Sequence, residues 1–285
     1  MIRLYMAAWS DVGQQRELNQ DRVFYQMLQS TDAEPVAVCL VADGMGGHLA
    51  GEVASHWVVE TLKRELADQF LPPDPRQTLQ LSGEQLRAMK KAATNGLHPS
   101  DVPMIQQLRQ AVTRANEAVH QYALNRPQEA MGAGSTLTMA FVKGKRVFVV
   151  NVGDSRTYLL RQGQLVQLTQ DHSRVAELVA AGQLTPQEAW NHPQAGLITR
   201  CLGYIEQVDV DIKPYTLESG DCLLLCSDGL WEMVRDPAEI SQIVESAPNL
   251  QAAARQLVEA ANRAGGKDNI AVALLRLAEY PDIVF

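Results

Sequence analysis

The sequence is poor in cysteine and has no long apolar run. Four cysteines occur among 285 residues, and because none stands in a CxxC pair, a thiolate zinc site or a redox dithiol has little support. Cys39, Cys222 and Cys226 lie in apolar runs and are interpreted as buried thiols of a reducing compartment. The absence of a membrane-length apolar stretch and of a signal-peptide core predicts a cytoplasmic protein with no membrane partner.

Positive charge is also scarce. The 25 lysine and arginine residues are outnumbered by 33 aspartate and glutamate residues, which gives a formal charge of −8. A net negative charge opposes binding to a polyanion, so no nucleic-acid partner is expected. Because 46% of the residues are hydrophobic, the chain has ample material for a large core. We predict a globular monomer in which one domain spans residues 1–285.

Short apolar runs rich in valine and leucine are bounded by turn residues, which is typical of β-strands. The predicted strands cover residues 35–42, 135–142, 147–152, 157–160, 222–226 and 270–275. Two of the links between them, at 143–145 and 153–155, are short and contain glycine, and residues 161–164, after the run 157–160, contain a further glycine. Such links predict antiparallel hairpins.

Helical patterns are fewer. The best of them has apolar residues at alternating spacings of three and four, which places these residues on one helix face: Ile105, Leu108, Val112, Ala115, Val119 and Tyr122. Helices with one apolar face, laid over antiparallel sheets, predict an α+β fold built in layers. The polar, proline-containing stretch 71–104 is interpreted as an insertion. Residues 172–200 are interpreted as a small helical flap, in which Thr185, Pro186 and Glu188 form the start of a helix.

Five aspartates stand at the boundaries of predicted strands. Asp43, Asp154 and Asp228 follow apolar runs, whereas Asp21 and Asp268 precede them. Taken singly, an Asp-Gly or Gly-Asp pair is more often a turn than a functional site. Taken together, the five carboxylates are expected to meet at one edge of a sheet. Two carboxylates about 4 Å apart repel by about 4 kcal/mol at the dielectric of a protein surface, so such a cluster requires cations.

Divalent metal ions are the natural counter-charge, since no lysine or arginine lies beside Asp43 or Asp228. Mg²⁺ and Mn²⁺ prefer oxygen ligands. Two ions that share a carboxylate would lower the pKa of a bridging water and hold it for in-line attack on phosphorus. Arg16 is the candidate for gripping the phosphate oxygens.

The motifs and their order resemble those of the metal-dependent protein phosphatases, the type 2C or PPM family, and in particular its bacterial branch. The resemblance extends from residue 10 to about residue 277 and rests on eight ordered motifs: SDVGQQRELNQD, VADGMGGHLAGEVAS, GAGSTL, NVGDSRTYLL, LTQDHS, ITRCLG, GDCLLLCSDGL and GGKDNIAVALL. It implies a four-layer α-β-β-α sandwich of two mainly antiparallel sheets flanked by helices. It also implies a metal cleft at the edge of the two sheets.

The resemblance implies roles for the metal ligands. Asp43 would bridge two ions, and the carbonyl of Gly44 would bind the first of them. Asp228 and Asp268 would bind the second ion. Asp154 would share a third, weaker ion with Asp228.

Two further side chains match the family's motifs. The resemblance implies that Arg16 binds phosphate. It implies that Asp21 helps to hold the waters of the first ion, and Asp21 is interpreted as a hydrogen-bond acceptor behind the metal ligands. Asn269 is expected to steady the same end of the site.

One position departs from the family's pattern. Eukaryotic relatives have a histidine directly after Asp-Gly, where it is proposed as the general acid, and here that place is taken by Met45. His48 is the candidate general acid, although a histidine in a glycine loop is more often a local hydrogen-bonding residue. His172 is interpreted as a surface histidine or the neighbour of a helix cap. Ser135 and Thr136 are interpreted as buried strand residues rather than nucleophiles.

The predicted function is hydrolysis of phosphoserine and phosphothreonine in proteins that a serine/threonine kinase has modified, with two core Mn²⁺ or Mg²⁺ ions and a third, weaker one. Other phosphate chemistries lack their signatures: there is no GxxxxGK[ST] loop, no cysteine six positions before an arginine, no DxDx[TV] start and neither GDxHG nor GNHE. Two alternatives stay open: a small-molecule phosphomonoesterase of the same fold, and a catalytically silent protein that binds a phosphorylated partner.

Overall fold

The computed structural model describes residues 1–28, 34–47, 50–71, 98–130 and 132–280. Within these ranges the chain forms eleven strands, numbered in order: β1 Ile2–Asp11, β2 Asp21–Leu28, β3 Val36–Met45, β4 Gly134–Ser135, β5 Leu137–Lys143, β6 Arg146–Val152, β7 Arg156–Arg161, β8 Gln164–Gln167, β9 Asp211–Thr216, β10 Cys222–Cys226 and β11 Ile270–Glu279. The α-helices of the same ranges are α1 Ala50–Glu65, α2 Val102–Asn125, α3 Arg174–Ala180, α4 Pro186–Ala189, α5 Asp228–Trp231, α6 Pro237–Ser246 and α7 Leu250–Arg263.

The strands form two antiparallel sheets. The first has the order β1-β11-β10-β7-β8, and the second has the order β2-β3-β5-β6-β9, with β4 attached to β3. All of the predicted strands are present in these sheets. Because every described pairing is antiparallel, short connections suffice within each sheet.

The apolar side chains of each inner strand alternate between two cores. On β3, Val38 and Leu40 pack beneath α1 and α2, whereas Cys39 and Val41 point between the two sheets. On β10, Leu224 packs beneath α6 and α7 in the same way. A strand buried on both faces shows a continuous apolar run with a side-chain period of two. Three stacked cores therefore make four layers, and the predicted α-β-β-α sandwich is confirmed.

The predicted helix patterns are also found. Helix α2 buries Leu108, Val112 and Val119 against the second sheet, as its spacing predicts. In the flap, the side chain of Thr185 accepts a hydrogen bond from the Glu188 N–H, and the Glu188 carboxylate accepts one from the Thr185 N–H. This capping box starts α4 as predicted. No helix in the described ranges is long and apolar enough to cross a bilayer.

One predicted hairpin is wrong. Residues 153–155 do not join two paired strands, because β6 belongs to the second sheet and β7 to the first. Gly153 has a φ of +104°, and a Cβ there would lie 2.7 Å from the Cβ of Thr136. The chain therefore turns away from β5 at Gly153 and crosses to the other sheet, which places Asp154 between the two sheets.

Two predicted features lie wholly or partly outside the described residues. Most of the interpreted insertion, 72–97, is outside them, and α2 already begins at Val102. His48, the candidate general acid, is also outside them.

Candidate metal centre

The fold brings the strand-end aspartates to one end of the sandwich. Asp21 and Asp43 are direct partners across β2 and β3 of the second sheet. Asp228 follows β10 and opens α5, and Asp268 precedes β11, both in the first sheet. Asp154 lies in the crossing between the sheets. The carboxylates thus come from both sheets, rather than from the edge of one as the sequence suggested.

Burial and neighbouring negative charges raise the pKa values of four of these carboxyl groups, those of Asp21, Asp43, Asp154 and Asp228. Burial is the main cause that raises the pKa of Asp21 and of Asp154, each to about 7. The pKa values of Asp43 and Asp228 are raised well above their ordinary range by burial, and next by the charges of their neighbours. For Asp43 those neighbours are, in order, Asp21, Asp228, Asp154 and Asp268. The ionised site therefore needs a source of positive charge.

Three buried carboxylate oxygens have no hydrogen-bond partner: Oδ1 of Asp21, of Asp154 and of Asp228. A buried carboxylate oxygen without a partner is costly, and most such atoms in proteins are paired. An oxygen-only donor set suits hard divalent ions such as Mg²⁺ and Mn²⁺. The residues present therefore fit the ions that the sequence predicts.

The carboxylates are not already arranged as a cage. No group of three or more His, Cys, Asp or Glu side chains in the described ranges stands in position to hold an ion. One of the acids is paired with a cation instead: Arg16 Nη2 donates to Asp268 Oδ2 over 2.6 Å. An ion bound by Asp268 would replace this pair.

The loop that carries Arg16 is fixed by Asn269. The Asn269 side chain donates to the carbonyls of Val12 and Leu18 and accepts from the Gln20 N–H, each over 2.8 Å. These bonds tie both ends of the loop to the start of β11, next to Asp268. Asn269 therefore steadies this end of the site, as expected.

Gly44, near the end of β3, lies against Gly51 in the first turn of α1. A Cβ at Gly44 would stand 2.0 Å from the Gly51 carbonyl oxygen, so only glycine fits. Met45 follows, paired with Gly134 of β4. The binding of an ion by the Gly44 carbonyl stays a prediction.

Two supporting contacts of the aspartates were not predicted from the sequence. The Thr136 hydroxyl accepts a hydrogen bond from the Asp43 N–H over 3.0 Å, and the backbone N–H of Thr136 donates to the Asp43 carbonyl. Ser227 donates its hydroxyl proton to Asp21 Oδ2 over 2.6 Å. Thr136 is fully buried, as interpreted, but it lies between β4 and β5 rather than within a strand. Threonine and serine in strand ends are too common for these contacts to be recognised in advance.

Trp231 links the flap to the aspartate cluster. Its indole Nε1 donates to the Asp154 carbonyl over 3.1 Å. Its ring lies 5.7 Å from that of Trp190, which follows α4 of the flap. The Arg156 guanidinium stands 3.6 Å from the ring centroid of Trp231 and also pairs with Asp171 at the base of the flap. The stack therefore holds the Asp154 crossing and the flap in one arrangement.

We expect Trp231→Phe to lower the free energy of unfolding by about 1 to 2 kcal/mol. Phenylalanine keeps a stacking ring but leaves the Asp154 carbonyl without its donor. Trp190→Phe is the matched control, because the Trp190 indole donates no hydrogen bond to a described residue. Urea denaturation of both variants measures the difference, and equal losses would contradict the role given to the Trp231 N–H.

The interpretation of His172 as a surface residue is wrong. Its side chain is only 6% exposed, because its Nδ1 accepts from the Gly153 N–H over 3.1 Å. Its Nε2 lies 3.4 Å from Asp211 Oδ2. His172 does precede a helix cap, since Ser173 caps α3. It is thus a buried support of the Gly153 turn.

The chain is similar to known proteins in sequence and in fold. The profile of the family Protein phosphatase 2C matches residues 13–264. The chain is 35% identical over 266 residues to the serine/threonine phosphatase stp of Listeria monocytogenes, covering 93% of each chain. It is similar to the solved structure of the S. agalactiae serine/threonine phosphatase, with a TM-score of 0.76, 32% identity, and coverage of 97% of this chain and 100% of that one.

A second similar solved structure contains metal ions. The catalytic domain of the serine/threonine protein phosphatase PstP, in complex with two manganese ions, has a TM-score of 0.73 and 33% identity to this chain. The match covers 98% of this chain and all of that one.

Proposed function

The chain belongs to the bacterial protein phosphatase 2C family, and from this premise we propose that it hydrolyses phosphoserine and phosphothreonine in proteins with the help of Mn²⁺ or Mg²⁺. The observation that carries the proposal is the set of three buried, unpartnered carboxylate oxygens at the meeting point of the two sheets. When bound, the ions would activate a water for attack on phosphorus and offset the charge of the phosphate.

The aspartates of the cluster would bind different ions. Asp43, whose charge is opposed by those of the other four acids, would hold two ions, which is the number of manganese ions in the PstP structure. Asp228 and Asp268 would hold one of them. Asp154 would contribute to a third, weaker site with Asp228, with the Asp154 crossing kept in place by Trp231.

Arg16 would bind the phosphate group. Its guanidinium is exposed and pairs with Asp268, so it stands beside the acids but is free to turn toward a substrate. When Asp268 serves as a metal ligand, Arg16 would exchange this partner for phosphate oxygens, which match its planar fork.

We propose that the substrates are proteins modified by a serine/threonine kinase and that the reaction takes place in the cytoplasm. The names of the relatives support the first part, and four free cysteine thiols are compatible with the second.

The test is phosphate release from phosphoserine and phosphothreonine peptides in Mn²⁺, compared with phosphotyrosine peptides, para-nitrophenyl phosphate and sugar phosphates. We expect turnover that EDTA abolishes and that favours the first two peptides. Higher kcat/KM for a sugar phosphate than for any peptide would support the small-molecule alternative. Peptide binding without any turnover would support the silent binding protein.

We expect Arg16→Ala to raise KM for a phosphopeptide about tenfold, because a charge-assisted hydrogen bond contributes about 1.5 to 3 kcal/mol. The matched control is Arg64→Ala, which removes another exposed, ion-paired arginine. Steady-state kinetics at saturating Mn²⁺ measure both variants. An unchanged KM together with weaker Mn²⁺ binding would assign Arg16 to the metal site instead.

A further inference from the structure

A deep groove lies beside the metal centre. It has a volume of about 950 Å³ and is bounded by α2 on one side and by residues 198–209, which follow the flap, on the other. A pocket of this size accepts several side chains of an extended peptide.

The inner end of the groove reaches the aspartate cluster. Cys201 lines the groove, and a Cβ at Gly134 would stand 3.2 Å from the Cys201 Sγ. Gly134 is paired with Met45 of β3, two residues after Asp43. Leu202 pairs with Ser135 by two backbone hydrogen bonds, and the next residue, Thr136, is bonded to Asp43. A polypeptide whose phosphorylated side chain enters the metal centre can therefore continue into the groove.

The wall of the groove is fixed before any ligand arrives. Asn116 of α2 is buried and accepts from the Gly203 N–H over 2.8 Å, while its amide donates to the carbonyls of Ile205 and Glu206. Gly203 adopts a φ of +90°, and a Cβ there would lie 2.2 Å from the Val119 Cγ1 of α2, so only glycine fits against this helix. A groove that is already formed does not have to be ordered when a peptide binds, which favours affinity.

The exposed chemistry of the groove is acidic and aromatic. Glu117, Glu206 and Asp209 are exposed lining residues with no ion-pair partner in the described part of the chain. The lining cation Arg200 does not offset them, because it pairs with Asp211. Beside the acids, the ring of Tyr204 is 69% exposed. Carboxylates next to an exposed aromatic ring are suited to binding arginine. Its planar guanidinium group binds carboxylates through two hydrogen bonds and stacks on aromatic rings.

We propose that this groove binds the polypeptide flanking the phosphorylated residue and selects segments that carry an arginine close to it. The inference rests on the proposed function and narrows its substrate class. Its physical basis is complementarity between an unpaired acidic wall and a cationic side chain, which acts on binding rather than on the chemical step.

The first experiment measures kcat/KM of the full-length protein in Mn²⁺ for a phosphothreonine peptide with alanine flanks, and for a series in which one arginine replaces alanine at each flanking position in turn. We expect at least one position to raise kcat/KM about fivefold, with lysine giving a smaller gain. The gain should shrink at high salt, since exposed charges are screened.

The second experiment assigns the gain to the groove. Glu117→Lys/Glu206→Lys should remove the preference for arginine, so that kcat/KM for the best arginine peptide falls to the value that the same variant shows for the alanine-flanked peptide. Glu245→Lys/Glu259→Lys changes the net charge equally on α6 and α7 and is the matched control. It should keep the preference.

The outcomes distinguish a failure of the groove assignment from a failure of the proposed phosphatase function. If the wild-type protein hydrolyses the alanine-flanked peptide but no arginine position improves it, or if both double variants lose the preference equally, the groove assignment is wrong and the proposed function stands. If no phosphopeptide is hydrolysed, the proposed function fails, and the groove assignment fails with it.

Discussion

Asp228→Asn should lower kcat/KM for a phosphothreonine peptide by at least about 10³-fold at saturating Mn²⁺. Asp228 opens α5, one of its carboxylate oxygens is buried without a partner, and its charge is opposed by Asp154 and Asp268. An asparagine has the same shape but a neutral amide, so it binds a divalent ion far more weakly. Loss of about 4 kcal/mol of transition-state stabilisation corresponds to a 10³-fold loss of rate.

The fold should survive this substitution. In EDTA the variant is expected to be at least as stable as the wild-type protein, because asparagine removes one member of a set of repelling carboxylates. Asp68→Asn provides the matched control, since Asp68 is exposed in the short segment Ala67–Phe70, outside the cluster. Isothermal titration with Mn²⁺ should show weakened binding for Asp228→Asn alone. Near-normal activity with intact Mn²⁺ binding would remove Asp228 from the site.

The layered fold could be predicted because its inner strands are buried on both faces. Runs such as Val38 to Val41 and Leu223 to Leu225 read as continuous apolar segments, and each supplies two cores at once. The spacing on α2 was equally clear, because the helix packs one face on a sheet and leaves the other to solvent. The spacing of apolar residues along one segment shows which of its faces is buried, even when the element that packs against that face is unknown.

The pairing of strands could not be predicted with the same success. A Gly-Asp-Ser link serves a hairpin and a crossing between sheets equally well, because both need a turn. What decides the outcome at Gly153 is contact with Thr136 and with His172, which are distant in sequence. The same limit hid the burial of His172, whose polar neighbours suggested an exposed position.

The aspartates of the cluster could be identified from their positions at strand boundaries and from the motifs around them. The residues that hold them could not. The hydrogen bond from the Trp231 indole to the Asp154 carbonyl joins α5 to the crossing between the sheets, and the ring contact with Trp190 joins α5 to the flap. Such contacts depend on how the two sheets pack against each other, and the sequence around these residues does not predict that packing.

In EDTA the free energy of unfolding should fall by several kcal/mol as the pH rises from about 4 to about 7. In the folded protein the pKa values of Asp21 and Asp154 are raised to about 7, with burial as the main cause, whereas in the unfolded chain an aspartate titrates near pH 4. Between these values the folded state binds more protons than the unfolded state, so stability decreases with rising pH. Each unit of raised pKa corresponds to about 1.4 kcal/mol.

Mn²⁺ should reverse this dependence, because an ion that binds only the folded protein stabilises it increasingly as the carboxylates ionise. Urea denaturation across this pH range, with EDTA or with Mn²⁺, measures both slopes. Asp21→Asn serves as the internal control: it keeps an acceptor for the Ser227 hydroxyl but cannot ionise, so its slope in EDTA should be shallower than that of the wild-type protein. A stability that rises with pH in EDTA would mean that the folded protein does not raise the pKa values of these carboxyl groups, and the electrostatic reason for a metal at this site would be lost.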